Sequence, residues 1–114
     1  MNPCIRPMEK QDLELVLAWR NHPDVRYFMF SSHEITLEEH RKWFETASKA
    51  SDRHLLVFEM NGQPRGFVNL FVTTGGIADW GFYTDPQAPR GTGRMLGRQM
   101  LFYGFGQLQL HKIV

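Results

Sequence analysis

From the N-terminus onward, apolar and polar positions switch between two periods. "CIRPM" reads as a short strand, kept short because Pro7 has no N–H to give a ladder. In "EKQDLELVLAWRN", Leu13, Val16, Leu17 and Arg20 recur at helical spacing, and Glu9 and Asp12 lie where the positive end of a helix dipole favours acids. "NHPDVRYFMFSSHEI" has no clear period. His22 precedes a proline and is biased out of the helical region, and aromatics crowd behind it, so an irregular loop with an apolar lining is expected. A second helix follows in "TLEEHRKWFETASK". Thr36 and Glu39 have the spacing of a capping box, and Leu37, His40, Trp43, Phe44 and Ala47 make one apolar face.

The period then changes to that of strands. "HLLVFEM" and "QPRGFVNLFVTT" are joined through Asn61-Gly62, a strong hairpin signal, and Gly75-Gly76 leads on to "IADWGFYTD". A three-strand antiparallel meander is expected. From Gly91 to about Gly106 the apolar residues Met95, Leu96, Met100, Phe102, Tyr103 and Phe105, with Gln99 among them, cover more than one helical face, which predicts a helix buried on the sheet. "HKIV" begins a further strand. The order is β-α-α-β-β-β-α-β, an α+β fold with a central, mostly antiparallel sheet.

Composition narrows this to one domain over residues 1–114. A chain of 114 residues that is 42% hydrophobic, with nine Phe, three Trp and three Tyr, suffices for one core and is too short for two. Thirteen Lys and Arg against twelve Asp and Glu leave a formal net charge of +1, so no basic field points to nucleic acid. Cys4 is the single cysteine, which excludes an internal disulfide, and no Cys/His spacing suits zinc. "MNPCIRPMEKQD" has no apolar leader, and no run approaches the roughly 18 apolar residues of a membrane span, so a cytoplasmic protein without a membrane partner is expected.

The candidate chemistry is concentrated in "DPQAPRGTGRMLGRQMLFYGF". A helix start leaves its first N–H groups without intrahelical partners and carries about half a positive charge, which suits a phosphate. Gly91 and Gly93 allow close backbone approach, and Arg90 and Arg94 add charge-assisted donors. Taken alone, the same string also describes a helix with a flexible start. No "GKS" or "GKT" marks a nucleotide P-loop, and a meander is the wrong context for a dinucleotide fold.

Two N-terminal helices, a meander and then "DPQAPRGTGR" opening a helix together resemble the GNAT family of acetyl-CoA-dependent N-acetyltransferases. The family's pyrophosphate loop, Arg/Gln-x-x-Gly-x-Gly/Ala, is matched by Arg90, Gly91, Thr92, Gly93 and Arg94, with Met95 in place of the small last residue. The resemblance covers essentially the whole chain. Within the family, "AWRNHPDVRYFMFS" with "ITLEEHRKWF", and "APRGTGRMLG" with "FGQLQLHKIV", look closest to the branch that acetylates the 4-amino group of a UDP-linked amino-deoxy sugar in pseudaminic acid biosynthesis. The branch that acetylates protein N-termini, including those of ribosomal proteins, shares "WRNHPDV"-like segments.

This resemblance implies roles. Arg90, Gly91, Thr92, Gly93 and Arg94 would hold the pyrophosphate of acetyl-CoA, and the backbone of Phe82, Tyr83 and Thr84 would pair with the pantetheine arm where the fourth strand splays from the fifth. Asp79 matches the strand-four position that receives the amine's proton in many members. Its short reach makes a water relay the version expected, and an exposed strand Asp without a role fits the residue equally. Met29, Phe30 and Trp43 would box the deoxy-sugar ring, although Trp43 on an amphipathic helix also suits the core. Arg20, Asn21 and His22 would contact diphosphate or sugar, unless Arg20 serves as a helix cap. His33, His40, His54 and His111 form no constellation with a nucleophile, and Ser31 and Ser32 lack a partner base, so no covalent acyl-enzyme is expected.

In the family another helix and two strands follow the fifth strand, and that helix supplies a thiolate-protonating tyrosine; this sequence stops at Val114. The expectation is therefore a GNAT domain incomplete at its C-terminus, self-associating through its unsatisfied last strand, and either an enzyme when completed or a non-catalytic CoA-binding or interaction module.

Overall fold

The computed structural model describes residues 3–26, 34–72, 77–107 and 112–113. They form β1 (Pro3–Pro7), α1 (Leu13–Asn21), α2 (Pro23–Arg26), α3 (Leu37–Ala47), β2 (Arg53–Met60), β3 (Gln63–Val72), β4 (Ile77–Thr84), α4 (Thr92–Phe102) and β5 (Lys112–Ile113). The sheet runs β1-β2-β3-β4-β5, antiparallel throughout except for the parallel β4–β5 pair. β1, with proline at both ends, takes the edge, where the missing N–H groups cost the ladder least. The β2–β3 turn is the expected one: Asn61 and Gly62 both adopt positive φ, 54° and 79°, the conformation a two-residue hairpin with the right twist requires.

Alternation along the central strands builds two cores. On one face Leu56, Phe58, Val68, Leu70 and Ala78 meet Leu96 and Met100 of α4. On the other, Leu55, Val57 and Phe67 meet Leu13, Val16 and Trp19 of α1 and Ala47 of α3. Each large side chain buried in this way contributes about 1.5–3 kcal/mol. At the base of α1, Arg6 forks onto both carboxylate oxygens of Asp12 at 2.7 and 2.8 Å and reaches Glu59 at 2.9 Å. Burial opposes ionisation of Asp12, but the bonds from Arg6 and from the Glu9 N–H outweigh it and hold the carboxyl below its usual range.

Three expectations are corrected. The stretch after Asn21 is not wholly irregular, because Pro23–Arg26 forms a helical turn. Proline at a first helical position loses no hydrogen bond, and the extended His22 caps the turn by accepting from the Asp24 N–H at 3.1 Å. α4 is not buried all round: Thr92, Leu96 and Met100 make one stripe on the sheet, while Leu101, Phe102 and Phe105 are exposed. Regular α-helix also stops at Phe102, and a wide turn continues over Tyr103–Gln107. The Gly75-Gly76 connection lies outside the described residues. Among the described residues no helix is long and apolar enough to cross a membrane, and no group of His, Cys, Asp and Glu is arranged to hold a metal ion.

Candidate active site

The segment leaving β4 is fixed before α4 begins. The Asp85 N–H donates to the Arg65 carbonyl at 2.8 Å, one carboxylate oxygen takes Arg65 Nη1 at 3.0 Å, and the other accepts the Gln87 N–H at 2.9 Å. An Asx-type turn results, tied across to β3. Thr92 donates its hydroxyl to the Pro89 carbonyl at 2.6 Å and is itself buried. The chain is thereby delivered to Gly91, whose φ of 91° is left-handed and favours glycine. Gly91 offers no capping side chain, so the first-turn N–H groups of Gly93 and Arg94 are left to whatever binds in front of the helix.

In front of this turn lies a cleft of about 480 Å³. Its walls are Phe82, Tyr83 and Thr84 of β4, the Asp85–Pro89 loop, Gly91, Thr92 and Gly93, with Asp24 and Val25 of α2 opposite. Six of the eight residues assigned to acetyl-CoA from sequence are thus brought together; Arg90 and Arg94 are exposed and are not part of the wall. Met95, at the position where the resemblance expects a small residue, packs against the core on the α4 side of the sheet. Among the described residues β5 pairs with β4 only at Ile77 and Ala78, so the β4 edge beyond them has no strand partner. A β4 edge open beside a helix start that lacks a cap can hold an extended chain ending in phosphate.

A second cleft of about 320 Å³ is lined by Arg20, Ile35, Glu39, His40, Trp43, Phe67 and Tyr83. Tyr83 lines both clefts. Burial raises the Tyr83 phenol above its ordinary value, and the Arg20 charge only partly offsets this, so the hydroxyl stays protonated over the ordinary pH range. A row of rings connects the two ends: His40 stacks on Trp43 at 5.2 Å, Trp43 meets Phe67 edge-on at 5.8 Å, and Phe67 meets Tyr83 at 5.2 Å. Such a wall suits a ligand with apolar ring faces.

Of the residues assigned to the acceptor, Arg20 and Trp43 line this second cleft. Asn21 uses its amide on Ile35, donating to the Ile35 carbonyl at 2.7 Å and accepting the Ile35 N–H at 2.8 Å; in this way it fixes one wall of the cleft from behind. His22 is occupied at the α2 cap. Asp79 is exposed on β4 and lines neither cleft. Met29 and Phe30 lie outside the described residues. Sequence reasoning missed Ile35, Glu39, His40 and Phe67. His40 precedes Trp43 by three positions on one helix and so shares its face, and that spacing was the available signal.

Comparison with known proteins identifies the family. The profile of the acetyltransferase (GNAT) domain matches residues 4–114. Two curated proteins, both named acetyltransferase PseH and both from Campylobacter jejuni, are similar: the strain 81-176 protein is 29% identical over 93% of this chain, and a second strain's is 27% identical over 90%. The chain spans 66% and 64% of their lengths. Among solved structures, AAC(6')-Ib in complex with paromomycin and acetyl-CoA superposes with a TM-score of 0.85 at 18% identity, covering 99% of this chain and 72% of that one. Spermidine N-acetyltransferase from Vibrio cholerae, in complex with CoA and spermine, gives 0.85 at 22% identity over 97% of this chain and 68% of its own.

Proposed function

We propose, from the premise that this chain belongs to the acetyltransferase (GNAT) domain family, that its two clefts bind acetyl-CoA and an amine, and that they meet at Tyr83 for direct transfer of the acetyl group. The observation that carries this reading is the Gly91–Gly93 turn at the start of α4 beside a β4 edge that, among the described residues, no strand covers past Ala78, with a separate aromatic cleft that shares Tyr83. Acetyl-CoA supplies a thioester carbonyl for attack. The backbone N–H groups of Gly93 and Arg94 would hold its pyrophosphate, with Arg90 and Arg94 adding charge at the rim. The Phe82, Tyr83 and Thr84 backbone would align its pantetheine arm as an added strand. Among the described residues no nucleophilic Ser or Cys lines either cleft, and direct attack by the amine is the route proposed.

The acceptor reading is the 4-amino group of a UDP-linked amino-deoxy sugar. It is supported by the PseH names of the two curated relatives, by the ring-lined wall of Trp43 and Phe67, and by the Arg20 cation at the same cleft. Arg20 would take the diphosphate, and the aromatic wall would cover the apolar face of the sugar.

Calorimetry tests the cofactor half. A Cβ built on Gly93 meets only Phe82 Cε2, at 3.8 Å, so the free protein has room for a side chain there. Gly93→Val is therefore expected to fold and to lose acetyl-CoA affinity by about tenfold or more, because its branched side chain blocks the approach of the pyrophosphate to the backbone. A folded variant with unchanged affinity would show that the ligand lies elsewhere.

A further inference from the structure

We propose that His40 is the base that frees the acceptor amine: its Nε2 takes the ammonium proton before the lone pair attacks. This rests on the amine cleft proposed above. His40 is only 4% exposed and lies on the wall of that cleft. Its Nε2 is buried and has no hydrogen-bond partner among the described residues. The ring's other nitrogen must therefore make the bond to the Leu13 backbone, where the available acceptor is the carbonyl. An imidazole that donates from Nδ1 to a carbonyl carries its lone pair on Nε2, so the cleft contains a fixed, unused proton acceptor. Leaving such an atom unpaired in the interior costs about 1–3 kcal/mol, a cost a bound N–H donor relieves.

The surroundings keep the ring neutral. Burial lowers its pKa below the ordinary imidazole value, the Leu13 bond opposing this only in part. Among the described residues, the charged and titratable neighbours on the cleft are Arg20 on α1, Glu39 on α3 and Tyr83 on β4. Glu39 accepts from the Thr36 hydroxyl at 3.1 Å within its capping box. In the step itself the ammonium N–H bond breaks, its proton forms a bond to Nε2, and the positive charge moves from ligand to imidazolium while Nδ1–H still donates to Leu13. The proton then leaves to water at the cleft mouth. Asp79, the base expected from sequence, is exposed and lines neither cleft, so it reaches the amine only through solvent.

Two measurements on the whole chain test this, with UDP-4-amino-4,6-dideoxy-N-acetyl-β-L-altrosamine as the probe. In ¹⁵N-histidine spectra, a resonance absent from His40→Gln should show Nδ1–H tautomer shifts in the free protein and move at Nε2 when the probe saturates the cleft. In thiol-release assays across pH, His40→Gln should lower kcat by about 100-fold or more, remove the acidic limb and leave the KM for acetyl-CoA unchanged. A His40 resonance unmoved by saturating probe would overturn the assignment, as would an acidic limb kept in His40→Gln and lost in Asp79→Asn. The spectra need no acetyl-CoA, so they decide the role of His40 even if calorimetry fails to find cofactor in the first cleft.

Discussion

A single hydrogen side chain sets how closely α4 approaches the sheet. Gly66 of β3 faces that helix, and a Cβ built on it would stand 2.5 Å from Leu96 Cδ1 and 3.4 Å from the Tyr83 carbonyl. Leu96 is fully buried in the close-packed core, so its displacement must be taken up by neighbouring side chains. Gly66→Ala is accordingly expected to destabilise the fold by about 1–3 kcal/mol, the usual range for overpacking. It should also weaken acetyl-CoA binding, since Leu96 lies within one turn of Gly93 on the same helix. Urea unfolding beside calorimetry checks both; an unchanged midpoint would show that α4 slides freely. Gly91 differs in kind, because open space surrounds its Cβ position and its constraint is the left-handed φ of 91°. The glycine string was therefore legible in sequence as a helix start, whereas the role of Gly66 depends on a helix thirty residues away and leaves no local mark.

At the scale of elements, what was legible followed period and caps. Thr36 and Glu39 do form a capping box, with Glu39 N–H to Thr36 Oγ1 at 3.2 Å and Thr36 N–H to Glu39 Oε1 at 3.3 Å. The Asn61-Gly62 hairpin and the meander also formed as patterned. The turn of α2 was missed because four residues are too few to show a period, and the fraying of α4 into a wide turn because apolar residues on an uncovered face look like core. The first cleft takes one wall from nearly contiguous residues, Phe82 to Gly93, so that part of its membership could be anticipated, whereas Asp24 and Val25 of α2 on the opposite wall could not. The second cleft draws on α1, α3, β3 and β4, and only packing reveals that Phe67 and His40 share it with Arg20. Asn21 holds this assembly by clamping the strand-like entry to α3 onto the end of α1, through bonds of 2.7 and 2.8 Å to Ile35. Asn21→Ala leaves both Ile35 groups without their partner, which should cost about 1–3 kcal/mol. Amide exchange at Ile35 should accelerate more than exchange in the β2–β3 core. Equal protection in variant and parent would mean that the clamp is not what orders the wall.

For the molecule as a whole, the face of α4 turned away from the sheet exposes carbon. Leu101, Phe102 and Phe105 are 44%, 68% and 45% exposed and, with Arg98 and Gly106, line a groove of about 590 Å³ along the end of α4. Contiguous aromatic surface of this kind favours association. The sheet adds a second opportunity, since among the described residues β5 pairs with β4 only at Ile77 and Ala78 and no strand pairs with the rest of that edge. We infer that this polypeptide self-associates through these surfaces, and Phe102 is the residue best placed to report it. Along a helix rising about 1.5 Å per residue, Phe102 stands well over 10 Å from Gly93, outside the cofactor cleft. Phe102→Asp should weaken association by about 2 kcal/mol, as loss of a central aromatic anchor does, while leaving acetyl-CoA affinity intact. Light scattering at low micromolar concentration should show dimers or larger species for the parent and a shift toward monomer for the variant. If the parent is already a monomer under those conditions, the apolar end of α4 has no partner in a second copy. If association persists unchanged in Phe102→Asp, the open strand edge is what joins the chains.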